Sequence, residues 1–405
     1  MRSPEAYVAA TRRIRADFVA TDYYRGLFES LRPIAAAYGC SADFHVTYST
    51  ERNCETVKFG NQTVIIYDQY LGQTFNQMNR LWLNSSNPEE AEAYALKVMA
   101  ERAQVTGRLQ LALILAASYR VMDGRSQTYK TDHDARRRGF LTFVQERYVL
   151  VHELFHAILD QQPTWRADAI RDARGDFIEN RLRPLRDETG LGGESAAQVL
   201  MRQSLDEQIA LMEADDALVE ECVCDTLAIP VVLQDAVRQG FSPADARSAV
   251  FFALRHLRKL ASLRATVDRL GEDDDPEGAW IYTYLVRTGF QQWVLNRLAA
   301  EGLAPTSDAS DAAFMAEQAR YETYLEDPIL LDAPHRLKRL PADILDATED
   351  YAEIVDLNRK IDELLANPAA SERMARLGES AFLLPLANVS NEDIARIKRE
   401  LDERP

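Results

Sequence analysis

The segment from Phe140 to Leu159 constrains the fold most, because it contains no Gly or Pro and is almost continuously apolar. This composition predicts a helix over 140–161 that is buried on most sides. Two histidines and a glutamate nevertheless interrupt the apolar surface of the helix. Polar groups that are buried without partners are costly, so these three side chains need an explanation.

His152 and His156 lie one turn apart on this predicted helix and project from the same face. That spacing lets two imidazoles bind one metal ion. Glu153 is rotated by about 100° from His152, so its carboxylate can approach a water on the metal without being a ligand. The alternative is a pair of hydrogen-bonded core histidines beside a solvated glutamate.

A zinc site that hydrolyses its substrate commonly uses three protein ligands and a water. In the short-spaced pattern, the third ligand is a His six residues after the second one. Gln162 occupies that position here, so this pattern is excluded. The other common solution takes a Glu from a later helix.

A helix predicted over 215–238 offers such a ligand, because Glu221 and Asp225 lie on one face of an otherwise apolar segment. We expect Glu221 to be the third ligand. We expect Asp225 to accept the free ring N–H of a ligating histidine. Glu220 is the rival ligand, but the residue one turn after it is Cys224 rather than a carboxylate.

The four cysteines are too few and too unevenly spaced for a disulfide framework. On a helix, Cys222 and Cys224 point about 200° apart, so they cannot chelate one ion together. We expect them to be small buried residues. Residues 1–24 have no uninterrupted apolar run of the kind found in signal peptides. These features predict a cytoplasmic protein with reduced thiols.

Strand patterns are convincing only within residues 43–67. The runs 43–48, 56–59 and 63–67 alternate or are rich in β-branched residues, and a Gly-Asn pair at 60–61 indicates a hairpin. Almost everything after them has helical periodicity, including one long stretch near 88–122. The predicted fold class is therefore α+β and predominantly helical, with a small antiparallel sheet of about three strands.

The composition turns polar and small around Pro305-Thr306-Ser307, which indicates a domain boundary. We therefore predict a main domain over 1–304. A helical C-terminal extension is predicted over 305–405.

The charge balance limits the partners. Lys and Arg number 47 against 64 Asp and Glu, a net charge of −17 in 405 residues. This charge excludes nucleic acid and an anionic membrane surface as default partners. The longest apolar run, Leu109–Ala117, is about half of what a bilayer requires.

Taken together, His152-Glu153-x-x-His156 and Glu221-x-x-x-Asp225 resemble the motifs of the gluzincin group of zinc metallopeptidases. They cover two helices and identify no particular family within the group. The resemblance implies a zincin-like domain, with the small sheet packed on the active-site helix and a peptide or protein substrate along an edge strand.

The resemblance also implies one Zn²⁺ per chain and hydrolysis of peptide bonds by a soluble metallopeptidase with a narrow protein substrate. Glu153 would take a proton from the metal-bound water and pass it to the leaving amine. The tetrahedral oxyanion needs a further donor. The candidates are Tyr282, Tyr284, His256 and Arg287.

Two other functions stay open from the sequence. The chain could be a catalytically silent zincin-like sensor or interaction module in which the zinc is structural. It could also be a helical scaffold whose histidines belong to the core. The oligomeric state is not predicted.

Overall fold

The fold is described from a computed structural model that covers residues 21–60, 62–123, 134–189, 195–268, 278–300 and 308–337. The boundary predicted at 304/305 lies outside these residues and stays a prediction. Of the predicted C-terminal extension, residues 308–337 are described, and they are helical throughout.

Helices dominate the described part of the chain, as predicted. In chain order they are α1 (Thr21–Glu29), α2 (Arg32–Ala37), α3 (Gln69–Asn84), α4 (Glu89–Val105), α5 (Leu109–Asp123), α6 (Ala135–Gln161), α7 (Pro163–Phe177), α8 (Arg183–Glu188), α9 (Ala196–Ala214), α10 (Asp216–Arg238), α11 (Pro243–Asp268), α12 (Gly278–Ala300), α13 (Asp308–Tyr321) and α14 (Ala333–Leu337). Short π-helical turns cover Ile178–Leu182, Glu322–Glu326 and Pro328–Asp332. No helix in the described ranges is long and apolar enough to cross a membrane.

The chain divides into two compact units. Of the described residues, the first unit contains 21–60, 62–79, 135–189, 195–256, 278–300 and 308–316, and the second contains 80–123, 134, 257–268 and 317–337. The sheet, α6, α10 and α12 belong to the first unit, which therefore contains all of the metal-binding residues predicted from the sequence.

Three strands form the sheet: β1 (Asp43–Thr47), β2 (Cys54–Phe59) and β3 (Gln62–Asp68), in the order β1-β3-β2. The predicted hairpin is confirmed, because β2 pairs antiparallel with β3 and Gly60 has a φ of 67°. The prediction of a fully antiparallel sheet is wrong. β1 pairs parallel with β3, so the sheet is mixed.

Asp68, at the end of β3, explains the difference. Its Oδ1 accepts a hydrogen bond from the Ser49 N–H, and its Oδ2 accepts one from the Arg52 N–H, both at 3.0 Å. The Asp68 N–H in turn donates to the Asn53 carbonyl at 2.9 Å. These bonds hold segment 48–53 across the end of β3, so the chain leaves one edge of the sheet and re-enters at the other. Alternation of apolar residues carries no information about that crossing.

α6 confirms the predicted buried helix but begins earlier, at Ala135. Leu150, Val151, Leu154 and Phe155 have no exposed surface, and side chains of this kind each stabilise the fold by about 1.5–3 kcal/mol. The sheet and α10 both pack against α6. The helix that carries the two histidines is thus fixed on two sides.

α10 matches the helix predicted over 215–238. Asp215 caps it, because its carboxylate accepts hydrogen bonds from the N–H groups of Ala217 and Leu218. Pro230 lies inside the helix and removes one backbone donor. This proline is more than two turns beyond Glu221, so the turn that carries the predicted ligand stays regular.

In the second unit, the long stretch of helical periodicity near 88–122 forms two helices, α4 and α5. Gly107 separates them with a φ of 83°. The N–H of Arg108 donates to the Ala103 carbonyl at 2.8 Å, and the N–H of Gly107 donates to the Gln104 carbonyl at 3.3 Å. This is the Schellman arrangement that ends many helices at glycine.

Candidate metal centre

α6 and α10 bring three potential ligands together. Nε2 of His152 lies 3.2 Å from Nε2 of His156 and 3.2 Å from Oε2 of Glu221. Nε2 of His156 lies 3.2 Å from the other carboxylate oxygen of Glu221. Within the described chain, these three residues form the one cluster of His, Cys, Asp and Glu side chains with this convergence.

The carboxylate of Glu221 is held in its charged form. Burial by itself raises its pKa, but Arg287 and the two histidines lower it far below the ordinary range. The side chain keeps 34% of its surface exposed, whereas that of His152 keeps 6%. The cluster is therefore open to solvent on the side of Glu221.

Asp225 lies beside His152, one of the two histidines for which the sequence predicts it to act as an acceptor. Nδ1 of His152 lies 2.9 Å from Oδ1 of Asp225, whose side chain is fully buried. The same carboxylate accepts a hydrogen bond from the Tyr148 hydroxyl at 2.6 Å and two from Arg287 at 3.0 Å. Burial opposes ionisation, but Arg287 and His152 lower the pKa of Asp225 to about 2.

His156 has a carboxylate partner of its own, which sequence reasoning missed. Nδ1 of His156 lies 3.3 Å from Oε1 of Glu220, and Nε of Arg166 donates to Glu220 at 2.9 Å. Burial raises the pKa of Glu220, but His156 and Arg166 together lower it. Glu220 thus faces the ring nitrogen of His156 that points away from the cluster. This geometry favours a role in orienting His156 over the role of a rival metal ligand. In the sequence, the position of Glu220 directly before Glu221 is the one indication that it could act at the cluster. No sequence spacing indicates that Arg166 lies beside it.

Glu153 lies next to the cluster and contacts the sheet. The hydroxyl of Thr56, on β2, donates to Oε2 of Glu153 at 3.0 Å and approaches its backbone carbonyl at 2.8 Å. Burial raises the pKa of Glu153 above its ordinary value, although the two histidines lower it. Strand β2 and helix α6 therefore position this carboxylate together.

The four oxyanion-donor candidates lie in different surroundings. Arg287 is at the cluster, with Nη1 2.8 Å from Oε2 of Glu221. His256 is fully buried in α11, with Nδ1 2.6 Å from the backbone carbonyl one turn before it. Tyr284 is half-buried on α12, and the side chain of Tyr282 lies outside the described part. Of the four, the structure brings Arg287 to the predicted ligands.

The two cysteines of α10 are free thiols without exposed surface, as predicted. Cys224 interacts with His156. Burial nevertheless raises the pKa of Cys224 to about 12, with His156 opposing the rise. The thiol is therefore protonated at neutral pH in the metal-free protein, and Cys224 does not belong to the convergent cluster.

Comparisons with protein-family models, with curated protein sequences and with solved structures found no match for this chain.

Proposed function

We propose that the protein is a zinc-dependent metallopeptidase of the gluzincin type, with His152, His156 and Glu221 as the ligands of one Zn²⁺. The observation that carries this proposal is the convergence of two imidazole nitrogens and a carboxylate at mutual distances of 3.2 Å. Ligands of a tetrahedral zinc ion lie about 2.0–2.1 Å from it and hence about 3.3 Å from one another. The spacing and the donor set therefore both fit zinc.

The surroundings of the histidines support the same assignment. Each Nδ1 faces a carboxylate, Asp225 for His152 and Glu220 for His156. A carboxylate at Nδ1 fixes the proton there and leaves Nε2 free to bind a metal. Both Nε2 atoms are the ones that converge. A pair of core histidines would need no such arrangement.

When bound, zinc would lower the pKa of a water toward neutrality and polarise the scissile carbonyl. Glu153 is the proposed general base, because it lies beside the ligands without belonging to the cluster. From this position it would take a proton from the attacking water and give it to the leaving amine. The Thr56 hydroxyl holds the Glu153 carboxylate in place for both transfers.

The position of Thr56 also supports a peptide as the substrate. Thr56 belongs to β2, which is an edge strand of the three-stranded sheet. An extended peptide can add to such an edge through backbone hydrogen bonds. A peptide aligned on β2 would pass the Glu153 carboxylate. Hydrolysis requires the scissile bond to lie near this proposed general base.

Arg287 acts on the ligands rather than on the substrate in this proposal. Its Nε and Nη2 donate to Asp225, and its Nη1 lies against Glu221. With these nitrogens engaged, Arg287 is a positioning residue. The proposal does not include Arg287 as the hydrogen-bond donor to the oxyanion.

The test compares wild type with Glu153→Gln, using a proteome-derived peptide library and mass spectrometry to identify cleaved bonds. We expect both proteins to contain zinc and only wild type to cleave peptides. Glu188→Gln, at an exposed glutamate of α8, is the control and should keep activity. Cleavage by Glu153→Gln would contradict the general-base role. Zinc-loaded wild type that cleaves nothing would favour the silent zincin-like module.

A further inference from the structure

A second carboxylate of α6, Glu146, is buried in an unusual environment. Its Oε1 accepts hydrogen bonds from the hydroxyls of Tyr24 at 2.7 Å and Tyr67 at 2.9 Å. Its Oε2 accepts one from the Tyr23 hydroxyl at 2.7 Å. The residue as a whole is 3% exposed. Three phenols therefore hold the carboxylate in one orientation.

This carboxylate has no positively charged partner in the part of the chain that the structure describes. Arg147, the next residue, pairs instead with Asp235 and donates to Ser30. Burial raises the pKa of Glu146, while the three tyrosine hydroxyls oppose the rise. A buried carboxylate is commonly paired with a cation, which adds an attraction that hydrogen bonds from neutral hydroxyls do not supply.

A cavity of about 260 Å³ lies beside Glu146. Tyr23, Tyr24, Asn76 and Phe143 contribute to its wall together with the carboxylate. Asn76 forms no hydrogen bond with another described side chain or backbone group. Gln69, Gln73 and Thr142 also line the cavity, which therefore combines aromatic rings and neutral polar side chains with one carboxylate.

The backbone of α3 approaches the carboxylate closely, and only glycine permits this approach. A Cβ at Gly72 would stand 1.9 Å from Oε1 of Glu146. Gly72 also contributes to the cavity wall. The backbone of Gly72 and the hydroxyls of the tyrosines thus restrict the position of the carboxylate. Oε2 can accept a further hydrogen bond, because Tyr23 is its single described donor.

We propose that this cavity is a binding site for a small alkylammonium ion, whose charged nitrogen pairs with Glu146 and whose alkyl group occupies the aromatic part of the wall. The missing positive charge is supplied by the ligand. Aromatic rings favour a neighbouring cation electrostatically. The amide oxygen of Asn76 offers a second acceptor for an ammonium group, which carries three donors.

A metal ion fits this cavity less well. Ca²⁺ and Mg²⁺ need about six to eight oxygen ligands, most of them carboxylates, carbonyls or waters. Glu146 is the one carboxylate in the wall, and the three phenol hydroxyls already direct their protons toward it. The environment favours a cation that donates hydrogen bonds.

The proposal is tested on the full chain by ligand-observed NMR with n-butylammonium and with 1-butanol, and by titration calorimetry with Mg²⁺. We expect saturable binding of n-butylammonium and none of the other two. Glu146→Gln keeps the shape of the side chain and removes its charge, so it should weaken binding by about tenfold or more. Asn76→Leu, which fills the cavity without touching the tyrosine hydrogen bonds, should weaken binding as well.

Glu221→Gln serves as the control, because it alters the metal centre and leaves the cavity intact. It should bind n-butylammonium as tightly as wild type does, which separates this site from the proposed zinc site. Equal binding to wild type and to Glu146→Gln would overturn the proposal. So would equal binding of butanol, binding of Mg²⁺ alone, or no binding by the folded wild type.

Discussion

Arg287 donates two hydrogen bonds to the carboxylate of Asp225, from Nε and from Nη2, each 3.0 Å long. This forked pairing uses the planar guanidinium in a way that a lysine cannot reproduce. The remaining Nη1 lies 2.8 Å from Glu221. One side chain of α12 therefore contacts both the proposed third ligand and the carboxylate that lies 2.9 Å from Nδ1 of His152.

Arg287→Lys should therefore weaken zinc binding although it keeps the charge. We expect an affinity about 10–100-fold lower, the range found when partners of metal ligands are changed. Competition with a chelator of known zinc affinity measures the loss. Arg297→Lys, at a half-exposed arginine of the same helix, is the matched control and should bind zinc like wild type. Unchanged affinity in Arg287→Lys would show that the forked pairing does not act on the ligands.

Glu220 and Glu221 are neighbours in the chain, but their substitution should affect zinc binding to different extents. Glu221→Gln removes a proposed ligand, whereas Glu220→Gln removes a partner of His156 Nδ1. We expect Glu221→Gln to lose most zinc and Glu220→Gln to bind zinc about tenfold more weakly than wild type. Zinc titrations of the two folded variants measure this order. The reverse order would make Glu220 the ligand.

The pKa of Glu146 predicts a dependence of stability on pH. Burial raises this pKa above the ordinary 4.5, so the folded state binds more protons than the unfolded state just above that pH. The stabilising contribution is fully present below about pH 4.5, and it is lost as pH rises through the higher folded-state pKa.

Urea unfolding of wild type and Glu146→Gln across this pH range measures the effect. The free energy of unfolding of wild type, relative to the variant, should fall as pH rises, by at most about 1.4 kcal/mol per pH unit. A difference that stays constant or grows with pH would mean that the pKa of Glu146 is not raised.

Replacing two glycines of the same cavity wall, Gly72 and Gly139, by alanine should change the free energy of unfolding in opposite directions. Gly72→Ala forces a methyl group against the Glu146 carboxylate, so we expect a loss of about 1–3 kcal/mol in the free energy of unfolding. Gly139 has open space where its Cβ would stand, and alanine there should stabilise α6 by about 0.5–1 kcal/mol. Chemical denaturation of both variants measures the contrast. Equal effects would contradict the close approach at Gly72.

The sequence predicts local features of this fold better than contacts between distant segments. Helix α6 follows from an apolar run without Gly or Pro, and the one-turn spacing of His152 and His156 follows from helix geometry. The parallel pairing of β1 was missed because it depends on the backbone contacts of Asp68 with segment 48–53. Alternation within a strand cannot encode that path.

The candidate site shows the same limit. Glu221 and Asp225 could be chosen from one helical face, but Arg166 lies 54 residues from Glu220 in the chain. The environment of Glu146 was also missed, because its tyrosines lie 79 to 123 residues away in sequence. Such pairings are set by packing, and neither periodicity nor composition contains them.

Zinc content tests the central claim most directly. Elemental analysis of wild type purified without chelator should find one zinc ion per chain, and the folded His152→Gln/His156→Gln variant should contain none. Removing the zinc should also lower the melting temperature of wild type, since a metal bound only by the folded state stabilises it. Wild type that stays metal-free after incubation with zinc, or a double variant that keeps it, would contradict the account.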